Sequence, residues 1–594
     1  MDRERMEVDI VCVGFGPAAG GFLSTLARRL SDAEKPPLES RAMPGMPPQV
    51  ICYERADGIG YGVSGAVTRA RGIRQSFPDL DRAQVPMAAP VVREKLVYLL
   101  DPDGASRRST TVKLADAVVR PFCRDRAYEL PFLPGFLNKH GGLVLSLGQF
   151  NQWVGEQLMA GGMVQIWPSM PVAEALLKDS KVSGVRLLDQ GVSAKGDPEA
   201  GYLPGMDVGA RLTVVADGPV GAVGRQLDRV FRKPDPDPHE EWAVGSKMVI
   251  ELPESVDLEP GTVIHTIGYP EPEIFGFLYV HPDRLVSAGI FIPSWFANPV
   301  RTSYRYLQHF IQHPYLWRWL KGGRMVSWGA KSIQEAGRRR EPLLAGDGFA
   351  RIGEGSGSTN VLANSGVDEA WTTGVLLGEA VVELLEQGRD FTREALEETY
   401  VRRRRSSWVD EGARKAEKAR NGFAWGFVPG MIGMALAGFS GGRFSFPGGE
   451  PAGPNSIEKH YGIPAKEAAA IREACAAGKK PLHDALMDRA GWPAIPNDGQ
   501  LLVSLQDALL VGGKVQAQPG YADHVVFIEP ESCRSCGQQV CVEICSGEAI
   551  RAGEDGVPAF DREKCVHCGA CFWNCKDANI EFSAGPGGLH STLN

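Results

Sequence analysis

Cysteine is scarce over most of this sequence. The chain has 594 residues and 12 cysteines, yet only four cysteines, at positions 12, 52, 123 and 475, precede residue 533. The charged start MDRERMEVD is not followed by the apolar core of a signal peptide, so we expect a cytoplasmic protein whose cysteines stay reduced. Clustered, reduced cysteines are more often metal ligands than disulfides.

An excess of positive charge is also missing. Lys and Arg total 64 against 72 Asp and Glu, which gives a net charge of −8. This balance argues against nucleic acid as the main partner. Because a single hydrophobic core stops growing near about 250–300 residues, several domains are expected.

The sequence has no uninterrupted apolar run of the roughly 20 residues that a membrane-spanning helix needs. The nearest approach is 421–442, which carries no charge but contains seven Gly and a Pro at 429. A basic stretch at 402–405 precedes it. We expect this segment to dip into one leaflet over anionic headgroups, as a monotopic anchor does. The alternative is a buried core segment beside a solvated basic helix face.

The first motif that is present is a Gly-rich turn near the amino terminus. VDIVCVGFGPAAGGFLSTLARRL has the pattern of a buried strand, a turn and a helix, with Gly14, Gly16 and Ala19 in the three positions of the G-x-G-x-x-G/A fingerprint. A second strand-like run ends in Glu54, which could bind ribose hydroxyls. This predicts a dinucleotide site, the alternative being a Gly-rich turn of some other α/β protein.

Two later strand–turn units favour FAD over NAD. One ends in Asp217-Gly218, and the other in Gly353-Glu354, which a long amphipathic helix follows. We expect the second acid to hold the ribityl chain and the helix to point its amino terminus at the flavin.

The other eight cysteines form two dense runs near the carboxyl terminus. Their spacing is close to that of bacterial two-cluster ferredoxins, in which the fourth Cys of each run binds the other cluster. That rule assigns one [4Fe–4S] cluster to Cys533, Cys536, Cys541 and Cys575, and the other to Cys545, Cys565, Cys568 and Cys571. Zinc, disulfides or a single cluster are the alternatives.

With these motifs in this order, the chain resembles the electron-transfer flavoprotein:ubiquinone oxidoreductase family, and equally FixC flavoproteins with a FixX-like ferredoxin domain fused on. The resemblance covers nearly the whole chain. It is carried by GVSGAV (62–67), HTIGYP (265–270), FLYVHPDRLVSAG (277–289), WGAKSIQEAG (328–337), NDGQLLVSL (497–505) and CVHCGAC (565–571).

The resemblance implies an α/β plus α+β architecture. A Rossmann-like FAD-binding domain of the glutathione-reductase type would comprise three segments, 1–95, 146–235 and 336–450, the last with the membrane-surface segment 421–442. A β-rich quinone domain would comprise 96–145 and 236–335. A helical insertion or linker (451–500) and a carboxyl-terminal ferredoxin-like iron–sulfur domain (501–594) would complete the chain.

The resemblance also implies binding sites. The single cluster of the family would fall on Cys545, Cys565, Cys568 and Cys571, the same set that the spacing gives. The quinone-binding candidates are Ile274, Phe275, Gly276 and Phe277. Bulkier side chains than the family's Gly pair would reshape the quinone tunnel here, so the quinone could be ubiquinone or menaquinone. The cofactor-binding candidates are Gly14, Gly16, Ala19, Glu54, Ser64, Gly65, Asp217, Gly218, Gly353, Glu354 and Gly366.

The implied activity is electron transfer from a reduced electron-transfer flavoprotein, through [4Fe–4S] and FAD, to a quinone at the cytoplasmic face of the inner membrane. The catalytic residues stay unassigned, although Tyr279 is a candidate source of quinone protons. Two alternatives remain: a geranylgeranyl-reductase-type flavoenzyme that reduces prenyl-lipid double bonds, and an electron-relay subunit of a bifurcating complex.

Overall fold

The Gly-rich start of the chain folds as a βαβ unit in a computed structural model that describes residues 3–231, 241–293, 303–447, 462–478, 481–537, 539–575 and 577–594. Strand β1 (Arg5–Val13) leads into helix α1 (Pro17–Leu30), and strand β2 (Val50–Tyr53) returns parallel to β1. Proline suits the first helical position because its φ is already helical and its missing N–H would be unpaired there.

This unit is the centre of the first sheet, which has eight strands in the order β19–β20–β13–β1–β2–β8, with β10 paired to β13 and β9 paired to β10. The five strands from β20 to β8 are parallel to one another. The remaining strands are β8 (Gln165–Trp167), β9 (Val172–Lys178), β10 (Lys181–Leu187), β13 (Asp207–Val215), β19 (Ala345–Gly346) and β20 (Phe349–Arg351).

Helices cover one face of the first sheet. Helix α1 packs closely against α8 (Val367–Glu386), because Gly374 brings the two backbones together: a Cβ at Gly374 would lie 1.9 Å from the carbonyl oxygen of Ala18. Helix α4 (Leu147–Gly161) completes this layer, and α5 (Ala222–Val230) lies against β9. The mixed α/β fold predicted from the sequence is therefore present.

The second sheet has seven strands in the order β18–β14–β17–β16–β15–β5–β6, and every neighbouring pair is antiparallel except β15 and β5. One face packs on helices α6 (Ser303–Ile311) and α7 (Pro314–Leu320), and the other faces the first sheet. The strands are β5 (Arg93–Leu99), β6 (Ala127–Glu129), β14 (Trp242–Glu251), β15 (Thr262–Ile267), β16 (Phe275–Val280), β17 (Leu285–Pro293) and β18 (Arg324–Gln334).

Smaller elements connect the two sheets. A three-stranded sheet joins β3 (Gly65–Thr68), β7 (Leu143–Ser146) and β4 (Ala89–Pro90), and β11 (Gln190–Val192) pairs with β12 (Pro198–Leu203). The other helices up to residue 440 are α2 (Arg71–Ser76), α3 (Thr110–Val119), α9 (Arg393–Leu396), α10 (Arg402–Ser406), α11 (Trp408–Ala416) and α12 (Phe427–Ser440).

The carboxyl-terminal region consists of short elements. Its helices are Ala465–Gly478, Leu482–Arg489, Leu505–Ala508, Pro530–Ser535, Val540–Glu543 and Ala570–Trp573, and its strands are β21 (Val525–Phe527), β22 (Ile550–Arg551), β23 (Ala559–Phe560) and β24 (Ile580–Phe582). Several hydrogen bonds fasten this region to β18, among them one from the indole N–H of Trp573 to the Ser332 hydroxyl at 2.6 Å and one from the Ser332 N–H to the Cys568 carbonyl at 2.8 Å.

The domain division stays a prediction, but the positions of its boundaries can be stated. The boundary at 95/96 falls inside β5, all of which belongs to the second sheet. The boundary at 145/146 falls inside strand β7, which belongs to the three-stranded sheet. The boundaries at 235/236 and 450/451, and residues 451–461 of the predicted insertion, lie outside the described residues.

Candidate functional site

A single cavity of about 630 Å³ lies between the two large sheets. Its wall includes the Gly-rich turn, the second sheet, helix α12 and some of the cysteine-rich region. Such large, mostly apolar cavities with a few polar groups are where cofactors and substrates bind.

The Gly-rich turn shapes one end of the cavity. Gly14 has a φ of +87°, and a Cβ there would lie 2.9 Å from the Ala216 carbonyl oxygen, so the turn requires glycine. A Cβ at Gly16 would meet no atom within 4 Å. The first-turn N–H groups of α1 have no side-chain cap and lie beside this open space. A pyrophosphate needs such open space and such free backbone N–H donors. Ala19 is fully buried, where α1 packs on the sheet.

Glu54 lies at the end of β2 beside the turn. One carboxylate oxygen accepts from the Phe15 N–H at 2.8 Å and the other from the Ala56 N–H at 2.9 Å. Each oxygen still has a lone pair for a further donor, so ribose hydroxyls could bind. Glu54 thus joins the first two strands at the cavity wall.

The two later strand–turn units reach the same cavity. Asp217 accepts from the Gly224 N–H at 3.0 Å, within the first turn of α5, and burial raises the pKa of its carboxyl group. Gly218 lines the cavity beside it. Burial also raises the pKa of Glu354, whose carboxylate accepts from the Gln334 N–H at 3.1 Å.

The remaining cofactor candidates surround the space between these acids. Gly353 has a φ of +75°, and Gly366 is the residue that precedes α8, so the amino terminus of α8 opens on the cavity. Ser64 lines the cavity, and Gly65 follows it as the first residue of β3. The structure therefore brings nine of the eleven cofactor candidates to the wall of one cavity, and Ala19 and Gly65 are not part of that wall.

The quinone candidates divide between two environments. Phe275, Gly276 and Phe277 line the cavity opposite the Gly-rich turn. Ile274 is fully buried and packs in the hydrophobic core on the other side of the sheet. The ring of Phe277 stacks on Tyr279 at 4.4 Å, and burial raises the pKa of Tyr279, which makes its phenol a poorer proton donor than a free tyrosine.

Sequence reasoning missed several titratable residues of the cavity, among them Lys247 and His265. Lys247 is buried in β14, donates to the Ser64 carbonyl at 3.0 Å, and has its pKa lowered to about 7 by burial. His265 is buried in β15. A charged or polar residue within an otherwise apolar strand was the available signal.

The cavity opens at an exposed apolar surface. Met431, Met434, Ala435 and Phe439 on α12 line the cavity mouth. Around it lie the exposed large apolar side chains that we call the apolar rim: Leu114, Val118, Phe122, Phe132, Trp425, Ile432, Leu436, Phe439 and Phe444. Monomeric soluble proteins rarely expose so many together, and such patches mark interaction sites. Within the described residues, every helix is too short or too polar to cross a membrane.

The basic stretch before this segment does not form a free cationic surface. Arg404 is 2% exposed and donates to the Ser356 carbonyl at 2.6 Å. Arg403 pairs with Glu383, and Arg405 pairs with Glu341 and with Asp410. The expectation that this run meets lipid headgroups is therefore wrong for Arg404, because its charge is used to hold the loop after β20.

Four of the eight clustered cysteines, which we call the outer thiols, are Cys533, Cys536, Cys541 and Cys575. Burial raises the pKa of the Cys541 thiol to about 12, and the nearby Cys575, Cys533 and Cys536 add to the rise. Asn579 donates its backbone N–H to Cys575 Sγ and its side-chain amide to Cys533 Sγ, each at 3.2 Å. These four sulfurs therefore lie close together, although they are far apart in sequence.

The other four, the inner thiols, are Cys545, Cys565, Cys568 and Cys571. Burial raises the pKa of Cys571, with Cys568, Cys545 and Cys565 the next largest causes and Cys541 a smaller one. The thiols that act most strongly on Cys571 are thus the other three inner ones, and the assignment of the two sets to two clusters stays a prediction.

The sulfur positions bear on the zinc and disulfide alternatives. Around one tetrahedral zinc ion, with Zn–S bonds of about 2.3 Å, the sulfurs would lie roughly 3.8 Å apart. No three of the eight sulfurs lie within 4.8 Å of one another in the portion of the chain that the structure describes, and all twelve cysteines are free thiols. Wider sets suit a cluster, because each thiolate binds a different iron.

The inner thiols lie next to the cavity. Val566 and His567 line it, between Cys565 and Cys568. The guanidinium of Arg55 lies 2.8 Å from His567 Nδ1, and His524 Nε2 lies 3.2 Å from Cys565 Sγ. A short path of contacts therefore runs from an inner thiol to the cavity wall.

Comparison with known proteins agrees with this arrangement. The family described as "ETF-QO, ubiquinone-binding" matches residues 242–333, which span β14 to β18. The electron transfer flavoprotein-ubiquinone oxidoreductase of Pseudomonas aeruginosa is 29% identical over 415 residues, covering 69% of each chain. The mitochondrial protein of that name from Oryza sativa is 28% identical over 473 residues, covering 78% of this chain and 73% of its own.

Solved structures are more distant. A geranylgeranyl bacteriochlorophyll reductase-like protein from Thermoplasma acidophilum has a TM-score of 0.48 and 14% identity, covering 80% of this chain and 99% of its own. The relatives' names favour neither the prenyl-lipid reductase nor the relay-subunit alternative. The chain is an oxidoreductase, its residues 242–333 match the ubiquinone-binding region of the electron transfer flavoprotein-ubiquinone oxidoreductase family, and along about 70% of its length it is similar to proteins of that name.

Proposed function

We propose that this protein passes electrons from a reduced electron-transfer flavoprotein, through two [4Fe–4S] clusters and FAD, to ubiquinone or menaquinone at the cytoplasmic face of the inner membrane. The observation that carries the proposal is the continuity of one cavity. It runs from the Gly-rich turn, past the second sheet, to the apolar rim. A flavin and a lipid-soluble substrate can thereby meet inside a single protein chain.

The residues at the Gly-rich end fit FAD. The open space at Gly16 and the free amino terminus of α1 suit the pyrophosphate, and Glu54 suits the adenosine ribose. Glu354 and the amino terminus of α8 face the remaining length of the cavity. When bound, FAD supplies one- and two-electron chemistry, while the chain provides binding, orientation and electrostatics.

The outer and inner thiols support an order of electron flow. Three of the four inner thiols are buried and Cys545 is partly exposed, whereas three of the four outer thiols are partly exposed and Cys533 is buried. Cys541 of the outer set and Cys571 of the inner set interact electrostatically, so the two sets are adjacent. Electrons from a protein donor would therefore enter at the outer thiols and leave toward the cavity from the inner ones.

The apolar rim supports attachment to a membrane surface. Trp425 and Phe439 are each 68% exposed, and Phe122 is 73% exposed. Burying such side chains in the acyl boundary would stabilise a monotopic arrangement. A quinone could then move from the bilayer into the cavity between the rim side chains without crossing water.

The direct test uses the purified holoprotein, reduced electron-transfer flavoprotein and lipid vesicles that contain ubiquinone or menaquinone. Quinol formation is expected with at least one quinone. Saturation of a prenyl lipid, or no quinol with either quinone, would contradict the proposal.

A pair of variants on α12 locates the substrate path. Ala435→Trp should narrow the cavity mouth and raise the KM for the quinone, because Ala435 lines it. Ile432→Trp is the matched control, since Ile432 is 50% exposed on the same helix and is not a member of the cavity wall. Equal effects of the two variants would argue against a quinone path along α12.

A further inference from the structure

The cavity face of the second sheet is apolar apart from a small polar group. Strand register places His265 opposite Phe277, with Val263 opposite Tyr279 on the same face. Side chains directly opposite each other on one face of a sheet are in contact range. His265 therefore lies beside the residues that form the proposed quinone wall.

A carboxylate holds the imidazole in place. His265 Nε2 lies 2.9 Å from Glu94 Oε1, and the two side chains are 6% and 4% exposed. The second oxygen of Glu94 accepts from the Lys139 N–H at 2.6 Å. With both oxygens engaged, Glu94 is fixed, and so is the orientation of the ring it binds.

The other ring nitrogen, Nδ1, is left for the cavity. It has no hydrogen-bond partner among the described residues, yet it is not one of the fully enclosed polar atoms that lack a partner. It therefore keeps accessible surface, and His265 lines the cavity. An accessible ring nitrogen whose opposite nitrogen is held by a carboxylate is the arrangement of a proton-transfer histidine.

The charged and titratable groups around the ring are few. Glu94 on β5 and Tyr279 on β16 face it, and Lys139, in the loop before β7, interacts with it electrostatically. Burial lowers the pKa of His265, and Lys139 acts in the same direction, while Glu94 opposes both. At neutral pH the imidazole is mostly uncharged, and negative charge arriving nearby would favour its protonation.

We propose that His265 is the residue that transfers a proton to the quinone, and that Glu94 is its positioning residue. This inference rests on the proposed function. It adds a proton-transfer residue to the proposed quinone reduction and does not change the proposed path of the electrons.

Reduction of a quinone to a quinol takes two electrons and two protons. The electrons come from the reduced flavin. The imidazolium of His265 breaks its Nδ1–H bond as an O–H bond forms on one quinone oxygen, and the neutral ring is reprotonated from water. The second oxygen takes its proton from solvent.

The central experiment compares two electron acceptors in the vesicle-bound holoprotein. One is the quinone, and the other is ferricenium, a one-electron acceptor that takes up no proton. His265→Gln should lower kcat for the quinone about 100-fold, the usual size of a general-acid contribution, and leave ferricenium reduction within about twofold. His281→Gln is the matched control: His281 is buried near the same sheet and bonded to the Met87 carbonyl and Ser287, but does not line the cavity.

A second variant separates proton transfer from a merely structural role. The wild-type quinone rate should fall as pH rises through the His265 pKa, which lies on the acid side of the ordinary value of 6.5. Glu94→Gln removes a charge that raises this pKa, so the descending limb should move to lower pH. His265→Gln should lack the limb. Flavin absorbance and reduction of the flavin by dithionite, measured in each variant, report on an intact site without quinone turnover.

Several results would overturn the inference. If His265→Gln lost equal fractions of its quinone and ferricenium reduction rates, His265 would serve flavin binding or folding. If its quinone turnover were unchanged, His265 would have no role in the reaction. If the descending limb of the Glu94→Gln pH–rate profile lay at the same pH as in the wild type, Glu94 would not be the positioning residue. If the wild-type protein reduces no quinone, the proposed function itself fails and this inference fails with it. An active wild type with an unaffected His265→Gln variant refutes this inference alone.

Discussion

The two ends of the cavity are built from different regions of the chain. At the Gly-rich end, backbone N–H groups and missing side chains define the space, as at Gly14 and Gly16. At the opposite end, side chains from paired strands define it, as with His265 and Phe277. A backbone site depends on a local motif of a few residues, whereas a side-chain site depends on which strands pair and in which register.

This difference predicts different responses to substitution. A change at the backbone end should act on the flavin, and at some positions on the fold as well. A change at the side-chain end should act on the substrate while the flavin stays bound. The following predictions test that separation, from the largest expected effect to the smallest.

The largest effect is expected at the Gly-rich turn. Gly14→Ala should abolish flavin binding and also destabilise the protein, because its φ of +87° costs an L-residue about 1–2 kcal/mol and the Cβ meets Ala216. Gly16→Ala should weaken flavin binding with little change in Tm, since its Cβ meets no protein atom. Flavin absorbance and thermal unfolding measure the two effects. Equal losses of Tm in both variants would contradict this assignment of backbone roles.

The next largest effect is expected on the iron content when one of the outer or inner thiols is replaced. The holoprotein should contain about eight iron atoms per chain, four for each [4Fe–4S] cluster. Cys536→Ser should remove roughly half of the iron and leave the inner cluster reducible, whereas Cys568→Ser should remove the cluster beside the cavity. Iron and labile-sulfide assays with electron paramagnetic resonance provide the measurement. About four iron atoms in the wild type would refute the second cluster.

At the substrate end, the apolar rim should control attachment to lipid. Phe439→Glu should weaken binding to vesicles at least about tenfold, because burying a Phe side chain contributes about 1.5–3 kcal/mol. Leu203→Glu is the control, since Leu203 is 58% exposed on β12, outside the rim. Co-sedimentation with vesicles measures both. Flavin content should stay at the wild-type level in each variant. Loss of flavin in Phe439→Glu would contradict the expectation that a change at the substrate end leaves flavin binding intact.

The smallest effect is expected at Lys247, where the two ends meet. Burial lowers its pKa to about 7, below the unfolded value of 10.5, so the unfolded state binds more protons between these pH values. The stability penalty of this lysine is therefore greatest below pH 7 and fades as pH rises toward 10. Lys247→Met should raise Tm at pH 6 by more than at pH 9. A Tm difference that is independent of pH would mean that Lys247 is not the titrating group.

Much of the Gly-rich end could be predicted from the sequence. Gly14, Gly16 and Ala19 stand at fixed spacing between a strand and a helix, and that spacing itself specifies the geometry. Glu54 could be placed because it ends the next strand. The eight cysteines could be divided into two sets from their spacing alone, because ferredoxin cysteines are spaced to fit the shape of a cluster, and the two clusters themselves stay a prediction.

The substrate end could be predicted less completely. Phe275 and Phe277 face the cavity, but Ile274 packs into the core on the other side, because neighbouring positions along a strand point to opposite faces. His265 and Glu94 are 171 positions apart and meet through the parallel pairing of β5 with β15. No local pattern encodes such a pairing, so His265 could be noticed only as a polar residue in an apolar strand, and its contact with Glu94 could not be predicted before the sheet order was known.

The contact between His567 and Arg55 has a kinetic consequence. It joins the cysteine-rich region to the Gly-rich half of the same chain across 512 positions. The electron transfer that we propose between the inner thiols and the cavity would then be intramolecular, and its rate would not depend on the protein concentration. Only the transfer of electrons from a separate donor protein would depend on collision between two molecules. Dilution should therefore lower the rate of electron transfer from the donor to the chain and leave the rate of electron transfer within the chain unchanged.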